Sequence, residues 1–287
     1  MQELSVQLVQ SQVPNVRDLT PLGRGGQKIV FKGLHANHGA VVVKLVIGAP
    51  QDERVKREIE VASRCCIPHT ARLYECGGFD HCGGTICYIL EEFVPGVTLR
   101  QHLADNGPLS TPAVLTLIQT LLETAVVMEK ESIVHRDIKP ENIMACPDGS
   151  YRLLDFGIAR HLAKTSITPT EAHFGPHTAG YAAPEQFRNL KKKIDIRTDL
   201  FAIGVVTYEA ISSSHPFSNG ARDRLDILRR TEHLIPDALA IPGDSNGQLA
   251  GFITTLMSKY PSRRPPTAAA AKQWFDALMR DIRLKEA

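Results

Sequence analysis

Apolar and polar positions follow two different patterns along this chain of 287 residues. In the first third, short β-branched runs such as 41–46 alternate with glycine-containing turns. Runs of this kind, bounded by turn residues, predict strands. Two further runs, 71–78 and 85–92, predict a hairpin that turns at Gly83 and Gly84. This part of the chain is therefore expected to be rich in β-structure.

After the first third the apolar spacing becomes helical. Residues 99–103 begin one helix, and 111–130 form a long one that opens with a threonine and a proline, as helices often do. A short β patch, 143–144 with 151–154, interrupts the pattern, which resumes from 184 onward. The chain is therefore predicted to be an α+β protein, with a small β-rich lobe joined to a larger helical lobe.

Composition narrows the class of protein. Apolar residues make up 43% and charged residues 22% of the chain, which is ordinary for a globular protein. The formal charge of +2 is too small to indicate nucleic acid or a membrane surface as a partner. The chain has no unbroken apolar run of about 18 residues, and its first residues do not resemble a secretory signal. We therefore expect no membrane segment and a cytoplasmic location.

Six cysteines in so long a chain do not indicate a disulfide framework. Cys76, His81, Cys82 and Cys87 are close enough in sequence to form a zinc set, but they lack the paired C-x-x-C spacing of structural zinc sites. We interpret these cysteines instead as small apolar packing residues in a strand pair.

The residues with the clearest chemistry lie at 135–142 and read His-Arg-Asp-Ile-Lys-Pro-Glu-Asn. Removing a proton from a hydroxyl during phosphoryl transfer needs a carboxylate aimed at that hydroxyl, and Asp137 suits this role. Lys139, two residues on, would project to the same side of an extended loop. Asn142 can offer an oxygen to a metal ion. A solvated loop between a helix and a strand is the alternative.

The segment 135–142 resembles the catalytic loop of protein kinases. Its Lys139-Pro140 pair is typical of the serine/threonine branch, and the Pro-Glu-Gln that begins at Pro184 is common in bacterial members. The other signature elements follow in the family's order from about Arg17 to Leu278. The resemblance implies a bilobal protein-kinase fold with an N-terminal extension, an N-lobe, a C-lobe and a tail at residues 1–16, 17–94, 95–281 and 282–287.

The resemblance also implies a nucleotide site. Residues 22–30 resemble the glycine-rich loop that covers the ATP phosphates, since backbone amides approach phosphates only where side chains are absent. Lys28 stands where the family has its third glycine, and a plain hairpin is the alternative for this segment. The implied contact residues are Leu22, Gly23, Gly25, Gly26, Lys28 and Val30.

Lys44 ends a run of valines and resembles the family lysine that pairs with the α- and β-phosphates and with a helix glutamate. Residues 52–66 are helical in period. Within them Glu58 lies on the apolar face, whereas Glu53 and Glu60 have charged neighbours and are expected to be solvated. Glu58 is therefore the implied partner of Lys44.

Residues 89–99 resemble the hinge of the family, where the backbone groups of Glu92 and Val94 would hydrogen-bond adenine. Glu91 falls at the gatekeeper position, where an apolar residue is usual. A buried carboxylate there needs a partner, and no neighbour in the sequence identifies one.

The resemblance assigns the remaining site residues to the helical lobe. Asp155, in an Asp-Phe-Gly triplet, would hold Mg²⁺ or Mn²⁺ together with Asn142, because these hard cations need oxygen ligands. Thr178 would bond near Asp137 and Lys139 and shape the substrate site. Two roles are implied to be structural: Glu185 pairs with Arg264, and Asp199 bonds the backbone of the catalytic loop.

The stretch before Thr178 contains hydroxyl side chains that are candidates for phosphorylation, namely Thr165, Ser166, Thr168 and Thr170. Arg136 precedes Asp137, and in the family an arginine there often binds a phosphate on this loop. We therefore hypothesise activation by autophosphorylation, which would bring two copies of the chain together. A polar loop with incidental serine and threonine is the alternative.

The leading interpretation is an ATP-dependent serine/threonine protein kinase that acts on protein substrates. Departures from the family pattern at Lys28, Glu91 and His177 favour a pseudokinase, whereas the complete set of implied catalytic residues argues against one. A small-molecule kinase of similar fold is the third interpretation. Lys139 and the Ala-Pro-Glu of 183–185 favour protein substrates instead.

Overall fold

The computed structural model describes residues 5–25, 28–47, 67–82, 84–154, 179–188, 190 and 193–286. Several predictions concern residues outside these ranges: the helix at 52–66 with Glu58, Gly26, Asp155, the hydroxyls at 165–170, His177 and Thr178. The described chain divides into two compact units. Residues up to 94, without 67–70, form the first, and residues 67–70 with those from 95 onward form the second.

The first unit is built on an antiparallel sheet with the strand order β1-β2-β3-β5-β4 among the described residues. The strands are β1 (Val16–Gly25), β2 (Lys28–His35), β3 (Gly39–Ile47), β4 (Leu73–His81) and β5 (Gly84–Glu92). The predicted strand-rich character of this part is confirmed, because its β-branched runs pair as strands.

A helix that we did not predict, α1 (Val6–Gln12), packs on one face of this sheet. Ser5 caps it by accepting the Leu8 N–H at 3.2 Å. Val9 and Val13 are buried in one apolar cluster with residues of four strands: Val16, Leu19, Phe31, Val41, Val43, Leu45, Ile86 and Leu90. Valines spaced at i, i+3 and i+7 were the signal that could have revealed this helix.

The second unit is mainly helical. Its helices are α2 (Leu99–Asn106), α3 (Thr111–Lys130), α4 (Pro184–Phe187), α5 (Ile196–Ser212), α6 (Arg224–His233), α7 (Gln248–Leu256) and α8 (Ala268–Glu286). The predicted span of the long helix, 111–130, is confirmed. Helix α5 is buried almost all round, which makes it the central helix of this unit.

Helix α3 is long and apolar enough, on length and composition alone, to cross a membrane. Half of its apolar stretch (50%) is buried within the unit, where the helix packs against α5 and α8. The core helix of a globular unit has the same properties. We expected no membrane segment, and this packing explains α3 as a core helix.

A small sheet in the order β6-β7-β8 places the loop of Asp137. Its strands are β6 (Val97–Thr98), β7 (Ile143–Ala145) and β8 (Tyr151–Leu153). The loop runs from the end of α3 to β7 and finishes in a 3-10 turn at Pro140–Asn142. Gly96 before β6 has a φ of 131°, and a Cβ there would collide with the Ala145 carbonyl, so glycine is required.

Candidate active site

The loop that carries Asp137 is anchored by Asp199 of α5. Asp199 Oδ2 accepts the backbone N–H of His135 at 2.7 Å, and Oδ1 accepts that of Arg136 at 2.8 Å. Arg136 has a φ of 65°, which is unfavourable for a residue with a side chain and needs such support. Burial raises the pKa of Asp199, although its backbone donors favour the charged form. The predicted structural role of Asp199 is confirmed.

Asp137, Lys139 and Asn142 form one cluster within the second unit. Lys139 Nζ lies 3.1 Å from Asp137 Oδ2, and Asn142 Nδ2 donates to the same oxygen at 3.0 Å and to the Asp137 carbonyl at 2.8 Å. Extended backbone at Lys139 puts its side chain on the side of Asp137, as the spacing predicted. The side chains of Lys139 and Asp137 are 15% and 16% exposed, so the pair is largely shielded from solvent but not fully buried.

His135 joins this loop to the end of β8. Its Nδ1 accepts the Asp137 N–H at 3.3 Å, and its Nε2 lies 3.1 Å from the Leu154 carbonyl oxygen. Both hydrogen bonds can form together when Nε2 is the donor and Nδ1 is the acceptor. The Leu154 N–H in turn donates to the Asn142 carbonyl at 2.7 Å. These hydrogen bonds hold Leu154, at the end of β8, against the loop.

Of the two predicted metal ligands, Asn142 and Asp155, only Asn142 lies within the described residues. Its Nδ2 donates both of its hydrogen bonds to Asp137, so Oδ1 is the atom left to serve as a ligand. A carboxamide oxygen suits a hard cation such as Mg²⁺ or Mn²⁺, and this donor therefore fits the implied ion. Within the described ranges, no group of three or more His, Cys, Asp or Glu side chains could hold a metal ion.

Glu185, at the start of α4, forms an ion pair with Arg264. Arg264 Nη1 and Nη2 lie 2.6 Å and 3.0 Å from the two carboxylate oxygens. The predicted pair is confirmed. The neighbouring Gln186 donates to the Arg136 carbonyl at 3.0 Å, which links this buried pair to the loop 135–142.

A charged network around Arg100, which no local pattern predicted, joins α2 to three other segments of the second unit. Arg100 Nε donates to Glu141 Oε1 at 2.9 Å, and Nη1 donates to Glu209 Oε1 at 2.8 Å. Arg100 also donates to the Tyr181 hydroxyl, which donates to Glu209. Burial by itself lowers the pKa of Arg100, but the hydrogen bond and charge of Glu209 outweigh it and raise that pKa. Glu141 belongs to the loop 135–142, so the network fixes part of that loop.

In the first unit, Lys44 and Glu91 form a buried ion pair. Lys44 Nζ contacts Glu91 Oε2 directly, and the two residues are 6% and 8% exposed. Glu91 thus has the partner that its burial requires. Glu58 lies outside the described residues, and its pairing with Lys44 stays a prediction.

The predicted nucleotide contacts of the first two strands lie at one end of the sheet. Val30 of β2 is half-buried and lies opposite Lys44 of β3 on one side and Gly23 of β1 on the other. Leu22 is 52% exposed. The backbones of Gly25 and Lys28 pair at the end of the same hairpin.

The two predicted hinge residues differ in their backbone partners. The Glu92 N–H donates to the Arg72 carbonyl at 2.8 Å, so a contact with adenine would fall to the Glu92 carbonyl. Val94 is 5% exposed, and no backbone carbonyl in the described part of the chain accepts its N–H. Both contacts with adenine remain predictions.

An antiparallel N-terminal sheet, a helical second unit and a loop that clusters Asp137, Lys139 and Asn142 define the protein-kinase class of fold. A family model described as protein kinase domain matches residues 16–275. The chain therefore belongs to the protein kinase family.

Its relatives include bacterial serine/threonine kinases. Serine/threonine-protein kinase PknB of Mycolicibacterium smegmatis is 32% identical over 218 residues, which are 75% of this chain and 34% of that protein. Serine/threonine-protein kinase PknL of Mycobacterium bovis is 28% identical over 271 residues, which are 92% of this chain and 66% of that protein. The chain thus spans about a third of the length of the PknB relatives that it matches.

One solved structure shares the fold. The crystal structure of Rad53 1-466 in complex with AMP-PNP matches with a TM-score of 0.68, over 94% of this chain and 68% of that one. The sequence identity is 24%, so this likeness shows the fold alone.

Proposed function

We propose that this chain is an ATP-dependent serine/threonine protein kinase, which transfers the γ-phosphoryl group of ATP to Ser or Thr hydroxyls of protein substrates. The observation that carries the proposal is the placement of Lys139 Nζ and Asn142 Nδ2 within 3.1 Å of Asp137 Oδ2. A carboxylate held by neighbouring donors can accept the proton of an attacking hydroxyl. The protein kinase family match and relatives named serine/threonine-protein kinases support the same activity.

The second unit would supply the groups for proton and phosphoryl transfer. Asp137 accepts the proton of the substrate hydroxyl while the hydroxyl oxygen bonds to the γ-phosphorus. The bond from that phosphorus to the β–γ bridging oxygen breaks, and ADP leaves. Lys139, 3.1 Å from Asp137, places positive charge beside the transferring group. Mg²⁺ or Mn²⁺ held by Asn142 and Asp155 would neutralise phosphate charge when bound.

The first unit would hold the rest of the nucleotide. Lys44, with Glu58 as its predicted helix partner, would bind the α- and β-phosphates. The backbone amides of the glycine-rich segment 22–30 would cover them. The Glu92 carbonyl and the Val94 N–H would hydrogen-bond adenine, and the N–H of Val94 is suited to this because no described backbone carbonyl takes it.

Regulation and location belong to the same proposal. Autophosphorylation on one of the hydroxyls at 165–170, between two copies of the chain, would activate the kinase, with Arg136 receiving the phosphate. Thr178 would shape the substrate site beside Asp137. A cytoplasmic location agrees with the described cysteines Cys76, Cys82, Cys87 and Cys146, which form no disulfide with one another.

The activity is tested by incubating the protein with γ-labelled ATP, Mg²⁺ and a generic protein acceptor, beside Asp137→Asn and Asp148→Asn. Asp148 is exposed in the turn between β7 and β8, so Asp148→Asn is a matched control with the same chemical change. We expect label with the parent and the control, and a rate lower by about 10²- to 10⁴-fold in Asp137→Asn, because the base is lost. Thermal unfolding checks that all three are folded.

Two outcomes would contradict this proposal. A folded parent protein that transfers no label would exclude the kinase activity and favour a pseudokinase. Equal labelling by the parent and Asp137→Asn would show that Asp137 is not the base.

A further inference from the structure

Lys44 and Glu91 are neighbours in the sheet of the first unit. Strands β3 and β5 are antiparallel, with Val42 opposite Glu91 and Lys44 opposite Ile89. Directly opposed residues share a face, as do residues two apart along a strand, so Lys44 and Glu91 are diagonal neighbours on one face. Such neighbours are about 7–8 Å apart, which is within reach of two long side chains. Strand pairing alone therefore brings the two charges together.

Because the Glu91 side chain is buried, its carboxylate needs a positively charged partner. The side chain is 10% exposed, and a buried carboxylate without a positive partner is strongly disfavoured. Lys44 provides that partner through a direct Nζ–Oε2 contact. An ammonium group has three N–H donors, so one contact with Glu91 does not by itself prevent Lys44 from binding phosphate oxygens.

The Glu91 carboxylate also changes what Lys44 offers to a nucleotide. Its negative charge lies beside the positive charge that would attract the phosphates and offsets part of that attraction. At the effective dielectric constant of a protein, one unit charge a few ångströms away changes the affinity for an anion by roughly tenfold or more. The hydrogen bond of Glu91 and its charge therefore have opposite consequences for nucleotide binding.

We propose that Glu91 is a positioning residue for Lys44, which holds the ammonium group on the sheet while it weakens the attraction of that group for nucleotide phosphates. The inference rests on the proposed function, since it takes ATP and ADP as the ligands of Lys44. It makes position 91 a determinant of nucleotide affinity. Glutamine at this position keeps the acceptor for Lys44 and removes the charge, whereas leucine removes both.

The experiment compares Glu91→Gln and Glu91→Leu with the parent and with Glu75→Gln. Glu75 lies exposed on β4 of the same sheet, which makes Glu75→Gln the matched control. Calorimetric titration with Mg-ADP gives the Kd, and labelled ATP with a protein acceptor gives kcat and KM. Thermal unfolding shows whether each variant is folded, and Glu91→Gln is nearly isosteric with the parent.

We expect Glu91→Gln to bind Mg-ADP more tightly, by about tenfold or more, with a lower KM for ATP. We expect Glu91→Leu to lose kcat by roughly tenfold, because Lys44 loses the contact with Glu91 that positions its ammonium group on the sheet. Glu75→Gln should match the parent in all these quantities.

Either of two results would overturn the inference: Mg-ADP affinity that is unchanged or weaker in Glu91→Gln, or an unchanged kcat in folded Glu91→Leu. A purely structural role would lower stability without tightening nucleotide binding. An inactive parent would instead refute the proposed function, and the calorimetric comparison would still decide the role of Glu91.

Discussion

Arg264 donates two parallel hydrogen bonds to the carboxylate of Glu185, at 2.6 Å and 3.0 Å. The side chains are 0% and 2% exposed, so the pair is removed from water. A planar guanidinium can donate two parallel hydrogen bonds to one carboxylate, whereas an ammonium group has no such planar fork of donors. Because Gln186 next to Glu185 bonds the Arg136 carbonyl, the pair also supports the catalytic loop.

Arg264→Leu should lower the free energy of unfolding by about 3–5 kcal/mol, because Glu185 then remains as a buried charge without its partner. The double variant Glu185→Leu/Arg264→Leu should recover much of this loss. Urea denaturation measures both. Arg263→Leu, at the exposed neighbouring position, is the control and should change stability by no more than about 0.5 kcal/mol. A double variant as unstable as Arg264→Leu would contradict this account of the pair.

Arg100→Met should disrupt the network that holds Glu141 and Glu209. We expect a loss of about 2–3 kcal/mol in unfolding free energy, since Glu209 is buried and loses a charged donor. The KM for the protein acceptor should rise more than the KM for ATP, because the network supports the segment of Tyr181 and the catalytic loop. Steady-state kinetics with each substrate varied in turn measures the difference.

The matched control for Arg100→Met is Gln101→Met, which introduces the same side chain at the next, exposed position of α2. It should leave both KM values near those of the parent. Equal increases of the two KM values in Arg100→Met would mean that the network supports the fold in general and not specifically the segment of Tyr181 and the loop 135–142.

His215 should make stability depend on pH. Burial lowers the pKa of His215 from 6.5 to about 4, while Glu209 opposes this shift and Arg100 adds to it. His215 therefore binds a proton near pH 6.5 in the unfolded chain but only near pH 4 in the folded protein. The stability contributed by neutral His215 is complete above pH 6.5 and is lost as the pH falls towards 4, by up to about 3 kcal/mol.

His215→Asn provides the comparison. The Nδ1 of His215 accepts the N–H groups of Phe217 and Ser218, both at 3.0 Å, and the amide oxygen of asparagine can replace it without titrating. Denaturation between about pH 7 and pH 5 should show the parent losing stability relative to the variant as the pH falls. A difference that stays constant across this range would contradict the pH dependence.

Val9→Ala should weaken the packing of α1 on the sheet. Val9 is completely buried in the apolar cluster, so the loss of two methyl groups should cost about 1–3 kcal/mol of unfolding free energy. Val6→Ala on the same helix is the control, because Val6 is 37% exposed. Its effect should stay within about 0.5 kcal/mol, and equal effects of the two variants would show that α1 does not pack as described.

Much of the fold could be predicted because its signals are local. The β-branched runs became β2, β3 and β5, and the span predicted for α3 agrees with the structure. The two-residue spacing of Asp137 and Lys139 also predicted their common side, since an extended backbone alternates in a regular way. Helix α1 was missed although its valine spacing was visible, because seven residues are a weak helical signal in isolation.

The partners of charged groups could not be read from local patterns. The roles of Glu185 and Asp199 were anticipated from family resemblance, and no local spacing identifies the partner of either. Arg100 meets Glu209 because α2 and α5 pack in one unit, although the residues are 109 positions apart.

The local patterns of this chain were sufficient for the strands β2 to β5 and the long helix α3, and they singled out 135–142 as the segment with the clearest chemistry. The pairing of Lys44 with Glu91 required the folded sheet, because it depends on the register between β3 and β5. Registers and helix packing are set by the burial of many residues together, so the neighbours of a buried charge emerge only when the chain is folded.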